Sequence, residues 1–234
     1  MNKLTGRELL SSRFLYLCSP MSDTAKKILY IHGMGGGADS RIPSILRDAF
    51  AAEGLVKVIC RTYDFDPEVA HDQIEAWLDE VKPDLVIGES LGSLHALRVR
   101  NLPLLFVSPA LNTPFYFTLL SWIVWIPGVT RYFDNKYRPK DGDRQPLRFV
   151  HDVLNKYKNH GREALGDSNR YGQYMHAYFG THDHYRNSGV VSVRKWKKLF
   201  GNSFSIYEGT HFMENEHVET ILIPDIYNVL QIKK

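Results

Sequence analysis

The feature that most constrains this chain is an alternation of short apolar runs with longer segments of helical periodicity. Several of the short runs are continuously apolar, as expected for strands that are buried on both faces. Strands that alternate with helices are typical of βαβ units, which build a largely parallel sheet. We therefore predict six strands, at Ile28–Ile31, Val56–Tyr63, Asp84–Ile87, Leu104–Val107, His176–Phe179 and Phe204–Tyr207.

Helical patterns lie between these strands and after the last one. They predict helices at Ile42–Glu53, Pro67–Glu80, Leu91–Arg100, Val190–Phe200 and Val218–Leu230, and the run Arg13–Cys18 is a candidate for an additional edge strand. About sixty residues separate the strand near 107 from the strand near 176, far more than the few residues of a usual connection. We interpret residues 112–172, approximately, as a cap inserted into a single domain that spans residues 1–234.

The composition is that of an ordinary globular protein and excludes several classes of function. Hydrophobic residues make up 44% and charged residues 24%, so neither disorder nor a fibrous repeat is indicated. The net charge of +3 lacks the dense Lys/Arg clustering of a surface that follows phosphates, so we expect no nucleic-acid partner. The basic excess lies in the insertion, where residues 131–170 carry ten Lys/Arg against six Asp/Glu.

The two cysteines and the N-terminus favour a cytoplasmic location. Cys18 and Cys60 both lie in apolar runs, where a thiol behaves as a small hydrophobic group, and no signal-peptide pattern opens the chain. The most apolar stretch, residues 114–129, is too short to span a bilayer, so we expect no stable membrane insertion. Its Trp and Phe residues beside basic residues leave an interfacial membrane contact as an alternative.

A possible nucleophile stands in the sequence Gly88-Glu89-Ser90-Leu91-Gly92, which matches the pattern GxSxG. A buried strand is predicted before it and a helix after it, which is the strand–turn–helix context that the pattern requires. A sharp turn there would force Ser90 into a strained backbone conformation, and the glycines would let the strand and helix approach each other. Ser90 is therefore the candidate nucleophile, and a β-to-α turn without a catalytic role is the alternative.

A second motif, Ile31-His32-Gly33-Met34-Gly35-Gly36, follows the first central strand. With both motifs, the chain resembles the α/β-hydrolase superfamily. The resemblance implies the α/β-hydrolase fold, a mostly parallel sheet flanked by helices. It also implies an oxyanion hole formed by the backbone N–H groups of Leu91 and Met34, with Gly33 beside the substrate. A phosphate-binding loop at Gly35–Gly37 is the alternative, although neither GxGxxG nor a following Gly-Lys-Ser/Thr is present.

The candidate base is a histidine, because a serine becomes a good nucleophile only when a positioned imidazole removes its proton. His211 lies in a loop between the last predicted strand and the last helix, where the superfamily has its catalytic histidine. Three other histidines are interpreted differently: His217 as facing solvent at a helix start, His95 as packed, and His32 as bracing its own loop.

The candidate acid is Asp183, in the segment Phe179–Asp183, because the superfamily draws its acid from the loop after the preceding strand. The chain order serine, aspartate, histidine also agrees with that family. Asp134 and Asp167, both in the insertion, are reserve candidates. The cluster His182–His184 is an alternative metal site, but a third ligand is not evident, so no metal is predicted.

The aromatic run with Phe115, Tyr116, Trp122 and Trp125 predicts a lid over Ser90 with an apolar acyl pocket, and ordinary cap core is the alternative. Phe115 and Trp122 are thus predicted to bind substrate. The function expected is a serine hydrolase that cleaves a small-molecule carboxylic ester or thioester through an acyl-enzyme, without a cofactor. The alternatives are an acyltransferase or acyl-carrier thioesterase, suggested by the basic insertion, and a catalytically silent binding protein.

Overall fold

The computed structural model describes residues 25–137, 141–166 and 172–232. Six strands form one parallel sheet in the order β2-β1-β3-β4-β5-β6. Their bounds are β1 Lys26–Ile31, β2 Val56–Cys60, β3 Leu85–Glu89, β4 Leu104–Val107, β5 Met175–Gly180 and β6 Phe204–Tyr207. All six predicted strands are confirmed. Only β2 is clearly shorter than predicted, because its partner β1 turns into a loop after Ile31.

Helices follow the strands in chain order. In the described chain they are α1 Arg41–Ala51, α2 Pro67–Val81, α3 Gly92–Ala96, α4 Thr113–Ile123, α5 Val129–Lys136, α6 His151–Gly166, α7 His184–Asn187, α8 Val193–Phe200, α9 Asn215–His217 and α10 Ile223–Leu230. The predicted helix Leu91–Arg100 is only α3, since the chain then closes in tight turns before β4. The last helix is interrupted by a π-type turn at Val218–Leu222, because Pro224 has no N–H to donate.

Apolar side chains on the two faces of the sheet build two cores. Along β1, Ile28 and Tyr30 face the layer that contains α1 and α10, whereas Leu29 and Ile31 face the layer that contains α2 and α3. This alternation explains why β1 is apolar throughout. Cys60 belongs to the core on the side of α1 and α10. Burial raises the pKa of its thiol to about 12, which makes the thiol unreactive. Cys18 and the candidate strand Arg13–Cys18 lie outside the described residues.

The long segment between β4 and β5 contains α4, α5 and α6, none of which the sequence analysis assigned. Helices α4 and α6 pack closely: a Cβ placed on Gly161 would lie 2.3 Å from the Cγ of Pro114, so only a glycine fits at this crossing. The Tyr157 hydroxyl of α6 donates to the backbone oxygen of Phe65 at 2.8 Å. The Lys156 ammonium lies 2.7 Å from an Asp66 carboxylate oxygen at the start of α2. These contacts join the segment to the rest of the fold.

The strand order places a crevice at the carboxyl ends of β1 and β3. The connection after β1 leads to β2 on one side of β1, and the connection after β2 leads to β3 on the other side. The chain therefore reverses direction across the sheet at β1. Ligands of open α/β sheets bind at such a reversal. Within the described ranges, no helix combines the length and apolar character that crossing a bilayer demands.

Candidate active site

Ser90 occupies a strained turn at the end of β3. Its φ is +49°, a left-handed value that is uncommon for a residue with a side chain. The N–H of Ser90 donates to the Val107 oxygen at 2.9 Å, which anchors the turn to β4. A Cβ placed on Gly92 would lie 2.3 Å from the Ile31 oxygen, and one on Gly88 would lie 2.7 Å from the Ala96 Cβ. Both glycines are therefore required by close packing, and Ser90 projects at the carboxyl edge of the sheet.

The structure brings Ser90, His211 and Asp183 together in one hydrogen-bonded chain. His211 Nε2 lies 2.9 Å from Ser90 Oγ, and His211 Nδ1 lies 2.8 Å from Asp183 Oδ2. The Asp183 and His211 side chains are almost fully buried. An ionised carboxylate only accepts hydrogen bonds, so Nδ1 carries the imidazole proton and Nε2 accepts from the serine hydroxyl. This arrangement suits proton removal from Ser90.

Neighbouring groups hold the imidazole and the carboxylate in place. The second oxygen of Asp183 accepts a hydrogen bond from the Tyr185 N–H at 2.8 Å, at the start of α7. The Tyr185 ring packs edge-on against the His211 ring, with 4.6 Å between ring centroids. In the loop before His211, the Thr210 N–H donates to the Glu214 carboxylate at 3.0 Å. Both partners of the acid–base pair thus have fixed orientations.

The loop after β1 lies against Ser90. A Cβ on Gly33 would come within 3.2 Å of the Ser90 Cβ, so a side chain there would press on the nucleophile. Met34 and Leu91 both line the adjacent cavity. Neither backbone N–H has a hydrogen-bond acceptor within the described parts of the chain. Two free donors next to a serine are what a developing oxyanion needs.

His32 braces this loop from within. Its Nδ1 donates to the Gly33 oxygen at 2.7 Å, and its ring stacks on Tyr63 with 4.4 Å between centroids. The Tyr63 hydroxyl in turn donates to the His32 backbone oxygen at 2.7 Å. Burial lowers the pKa of His32 to about 4, so the imidazole is neutral at neutral pH. A neutral ring in this position is suited to packing.

Gln145, which the sequence analysis did not single out, clamps the same loop from the inserted segment. Its side-chain Oε1 accepts from the Gly35 N–H at 3.1 Å, and its backbone N–H donates to the Gly36 oxygen at 2.7 Å. Its Nε2 donates to the oxygens of Tyr63 and Asp64 at 3.2 and 3.3 Å. Only 1% of Gln145 is exposed. No local sequence pattern distinguishes it, because its partners lie far away in the chain.

A cavity of about 370 Å³ opens in front of Ser90, which is within the usual size range of small-molecule sites. The described residues that line it include Gly33, Met34, Arg41, Glu89, Leu91, Ala110, Thr113, Tyr116, Phe117, Arg144, Tyr185, Val190, His211 and Phe212. Of the residues predicted to bind substrate, Gly33 is among them.

The prediction that Phe115 and Trp122 line the acyl pocket is wrong. They are 61% and 69% exposed, because they share an outward-facing stripe of α4. The buried face of the same helix carries Phe117, two positions further on, and Tyr116 also reaches the cavity. Trp125 likewise lies outside the cavity and packs near His151.

Glu89 is a second residue that the sequence analysis missed. Its carboxyl accepts a hydrogen bond from the Tyr30 hydroxyl at 2.8 Å and forms part of the cavity wall. Burial raises the pKa of Glu89, and the hydrogen bond from Tyr30 opposes this rise. The GxSxG motif could have indicated Glu89, since the residue before the serine lies beside the loop after β1.

The remaining candidates lie away from Ser90. His95 is buried and packs against Tyr63 and His160. His217 does not simply face solvent, because its ring packs on Tyr207 with 4.9 Å between centroids. Asp134 is exposed on α5.

Asp167 lies outside the described residues. His182 and His184 are both exposed. Among the residues that the structure describes, no group of three His, Cys, Asp or Glu side chains is arranged to hold a metal.

Comparison with known proteins identifies the fold. No protein-family model and no curated protein matches the sequence. Among solved structures, a monoacylglycerol lipase from Paleococcus ferrophilus is 16% identical, with 88% of this chain and 94% of that chain covered and a TM-score of 0.58.

Two further structures agree. Est1E from Butyrivibrio proteoclasticus, solved with ferulic acid bound, is 16% identical over 91% of this chain and 90% of its own, with a TM-score of 0.61. An alpha/beta hydrolase from a sediment metagenome, MGS-MChE2, is 13% identical over 89% and 93%, with a TM-score of 0.57. The chain therefore has the α/β-hydrolase fold.

Proposed function

We propose that this chain is a serine hydrolase that cleaves a carboxylic ester or thioester, with Ser90 as nucleophile, His211 as general base and acid, and Asp183 as the group that orients His211. The observation that carries the proposal is the continuous hydrogen-bonded chain from Asp183 through His211 to Ser90, which ends at an open cavity. The monoacylglycerol lipase and Est1E share the fold and support an ester substrate.

The reaction proceeds in two steps. Ser90 Oγ attacks the acyl carbonyl carbon while its proton passes to His211 Nε2, and the carbonyl oxygen becomes an oxyanion facing the N–H groups of Leu91 and Met34. The tetrahedral intermediate then expels the alcohol or thiol, which takes the proton from His211. A water molecule attacks the acyl-enzyme in the same way, with His211 accepting its proton and returning it to Ser90.

The segment between β4 and β5 acts in this proposal as a cap that shapes the substrate cavity. It supplies Thr113, Tyr116 and Phe117 from α4, and Arg144 from the loop before α6. The rest of the wall comes from the loops that follow the strands and from the starts of α1 and α7. The cap would therefore select the acyl group, while the strand ends carry out the chemistry.

A fluorophosphonate probe, which labels activated serines whatever the substrate, tests the proposal by intact mass. We expect one label on the wild type and none on Ser90→Ala. Esterase activity on a para-nitrophenyl ester should disappear with the label. Well-folded wild-type protein that takes up no label would contradict the proposal and favour a catalytically silent binding protein.

Matched variants separate the roles of the two other residues. Asp183→Asn should lower kcat by about 10⁴-fold, because the amide no longer fixes the imidazole tautomer. Asp134→Asn, at an exposed acid on α5, should leave kcat unchanged. His211→Ala should abolish labelling, whereas His184→Ala, next to Asp183 but exposed, should retain it. Loss of activity in both members of a pair would show that folding, and not catalysis, was affected.

A further inference from the structure

The cavity in front of Ser90 has two chemically different sides. Ser90 directly follows β3, and in the sheet β3 lies between β1 and β4. On the β4 side the wall is mostly apolar, with Ala110, Phe117 and Val190. On the β1 side two guanidinium groups contribute, from Arg41 at the start of α1 and from Arg144 in the inserted segment.

The Arg41 guanidinium forms no ion pair with a carboxylate among the described residues, although its charge lowers the pKa of the nearby Glu89 carboxyl. Its guanidinium donates to three neutral oxygens: the Asn215 side chain at 2.5 Å, the Met213 backbone at 2.7 Å and the Phe212 backbone. These bonds fix the side chain at the edge of the cavity. They satisfy donors without neutralising the charge, which stays available to a ligand.

The Arg144 charge is only partly compensated. Its Nε lies 3.3 Å from an Asp39 carboxylate oxygen, a contact between side chains that are 26% and 48% exposed. The same Nε is buried without a hydrogen bond of good geometry. In the described part of the chain, neither terminal nitrogen of Arg144 has an acceptor. The two terminal nitrogens of this guanidinium are therefore available to donate to a ligand.

Glu89 is the one carboxyl group among the described residues that line the cavity. It already accepts the Tyr30 hydroxyl, and burial raises its pKa. Even fully ionised, it offsets a single positive charge. Among the described lining residues, the β1 side of Ser90 thus carries two positive charges against one negative charge, and Asp39, which contacts Arg144, lies outside the wall.

We propose that the substrate of this site carries an anionic group, a carboxylate or a phosphate, that binds to Arg41 and Arg144 while its acyl carbonyl lies at Ser90. This inference rests on the proposed hydrolase function and specifies its substrate class. Arginine pairs with carboxylate and phosphate through two parallel N–H···O bonds, and such charge-assisted bonds are stronger than neutral ones. The basic insertion thus acts at the site through Arg144.

Paired substrates of equal acyl length test the inference and distinguish the two anions. For a carboxylate on the acyl group, para-nitrophenyl hydrogen glutarate is compared with para-nitrophenyl pentanoate. For phosphate on the leaving group, pentanoyl-coenzyme A is compared with the pentanoyl thioester of N-acetylcysteamine. We expect the wild type to favour the charged member of at least one pair by about tenfold or more in kcat/KM. The preference should decrease with added salt.

Variants assign the preference to the arginines. Arg144→Gln and Arg41→Gln should each lower the ratio of charged to neutral turnover. Arg148→Gln should leave that ratio unchanged, since Arg148 lies in the same segment but pairs with Asp64 and does not line the cavity. Arg41→Gln also removes the bonds from Arg41 to the loop near His211, and that loss alone could unfold the site. Arg41→Lys is therefore measured as well, because it keeps the positive charge.

Each result decides between the two proposals. Turnover of the neutral esters with no preference for either anion overturns the substrate class and leaves the hydrolase function standing. A preference that Arg148→Gln reduces as much as Arg144→Gln also overturns it, because a general surface potential would then be the cause. Absence of both turnover and probe labelling overturns both.

Discussion

Replacing Gln145 with leucine should lower both the stability of the protein and its rate of catalysis. The side chain makes three hydrogen bonds, one accepted from Gly35 and one donated to each of Tyr63 and Asp64. Leucine has a similar volume and makes none of them. At about 1 kcal/mol for each bond, the free energy of unfolding should decrease by about 3 kcal/mol. For a domain of this size, that loss corresponds to a decrease in Tm of about 6–12 °C.

The effect on catalysis follows from the position of Gly35 next to Met34. Loss of a complete oxyanion donor typically costs about 10²–10³-fold in kcat. A loop that is loosened but present should cost less, about tenfold or more. KM should change little, because Gln145 does not line the cavity. Thermal unfolding followed by circular dichroism, together with kcat and KM for one ester, measures both effects.

Gln173 offers a matched control at the opposite end of the sheet. Gln173 lies just before β5, and its Nε2 donates to the backbone oxygens of Val99 and Leu102. Gln173→Leu should therefore lower the stability and leave kcat unchanged at a temperature where the protein is folded. If Gln145→Leu lost stability but kept the wild-type kcat, the argument that Gln145 positions the oxyanion loop would be refuted.

Two other perturbations test the interior of the protein and the shape of the cavity. Burial lowers the pKa of His32 to about 4 and that of His160 to about 3, so below pH about 6.5 the unfolded chain binds protons that the folded chain does not. Lowering the pH from about 7 to about 5 should decrease the free energy of unfolding by about 2 kcal/mol for each of these two histidines, buried His95 should add to the decrease, and His160→Gln should make this slope shallower in urea titrations. A pH-independent free energy over this range would contradict the burial argument. Val190→Phe should fill part of the cavity and raise KM for esters with long acyl chains, whereas Trp122→Ala should not, because Trp122 lies on the outer face of α4. Equal KM values for both variants would mean that the acyl group binds elsewhere.

The strands were predictable because their environment leaves a local mark on the sequence. A parallel strand covered by helices on both faces must be apolar at consecutive positions, as β4 is from Leu104 to Val107. The turn at Ser90 was also visible, since only glycines fit where Gly88 and Gly92 pack. The helix α4 was not assigned, because aromatic residues occur on both of its faces and obscure its period.

The sequence by itself determined the positions of the strands along the chain, the turn that presents Ser90, and loops after β5 and β6 that could supply an acid and a histidine. The tertiary structure decided whether those loops meet, and it placed Asp183 and His211 within hydrogen-bonding distance of each other. It also decided which side of α4 faces the cavity, and it brought Gln145 and Arg144 to a loop more than a hundred residues earlier in the chain. Such contacts depend on how elements pack in space, and packing between distant segments leaves no periodic pattern in either one.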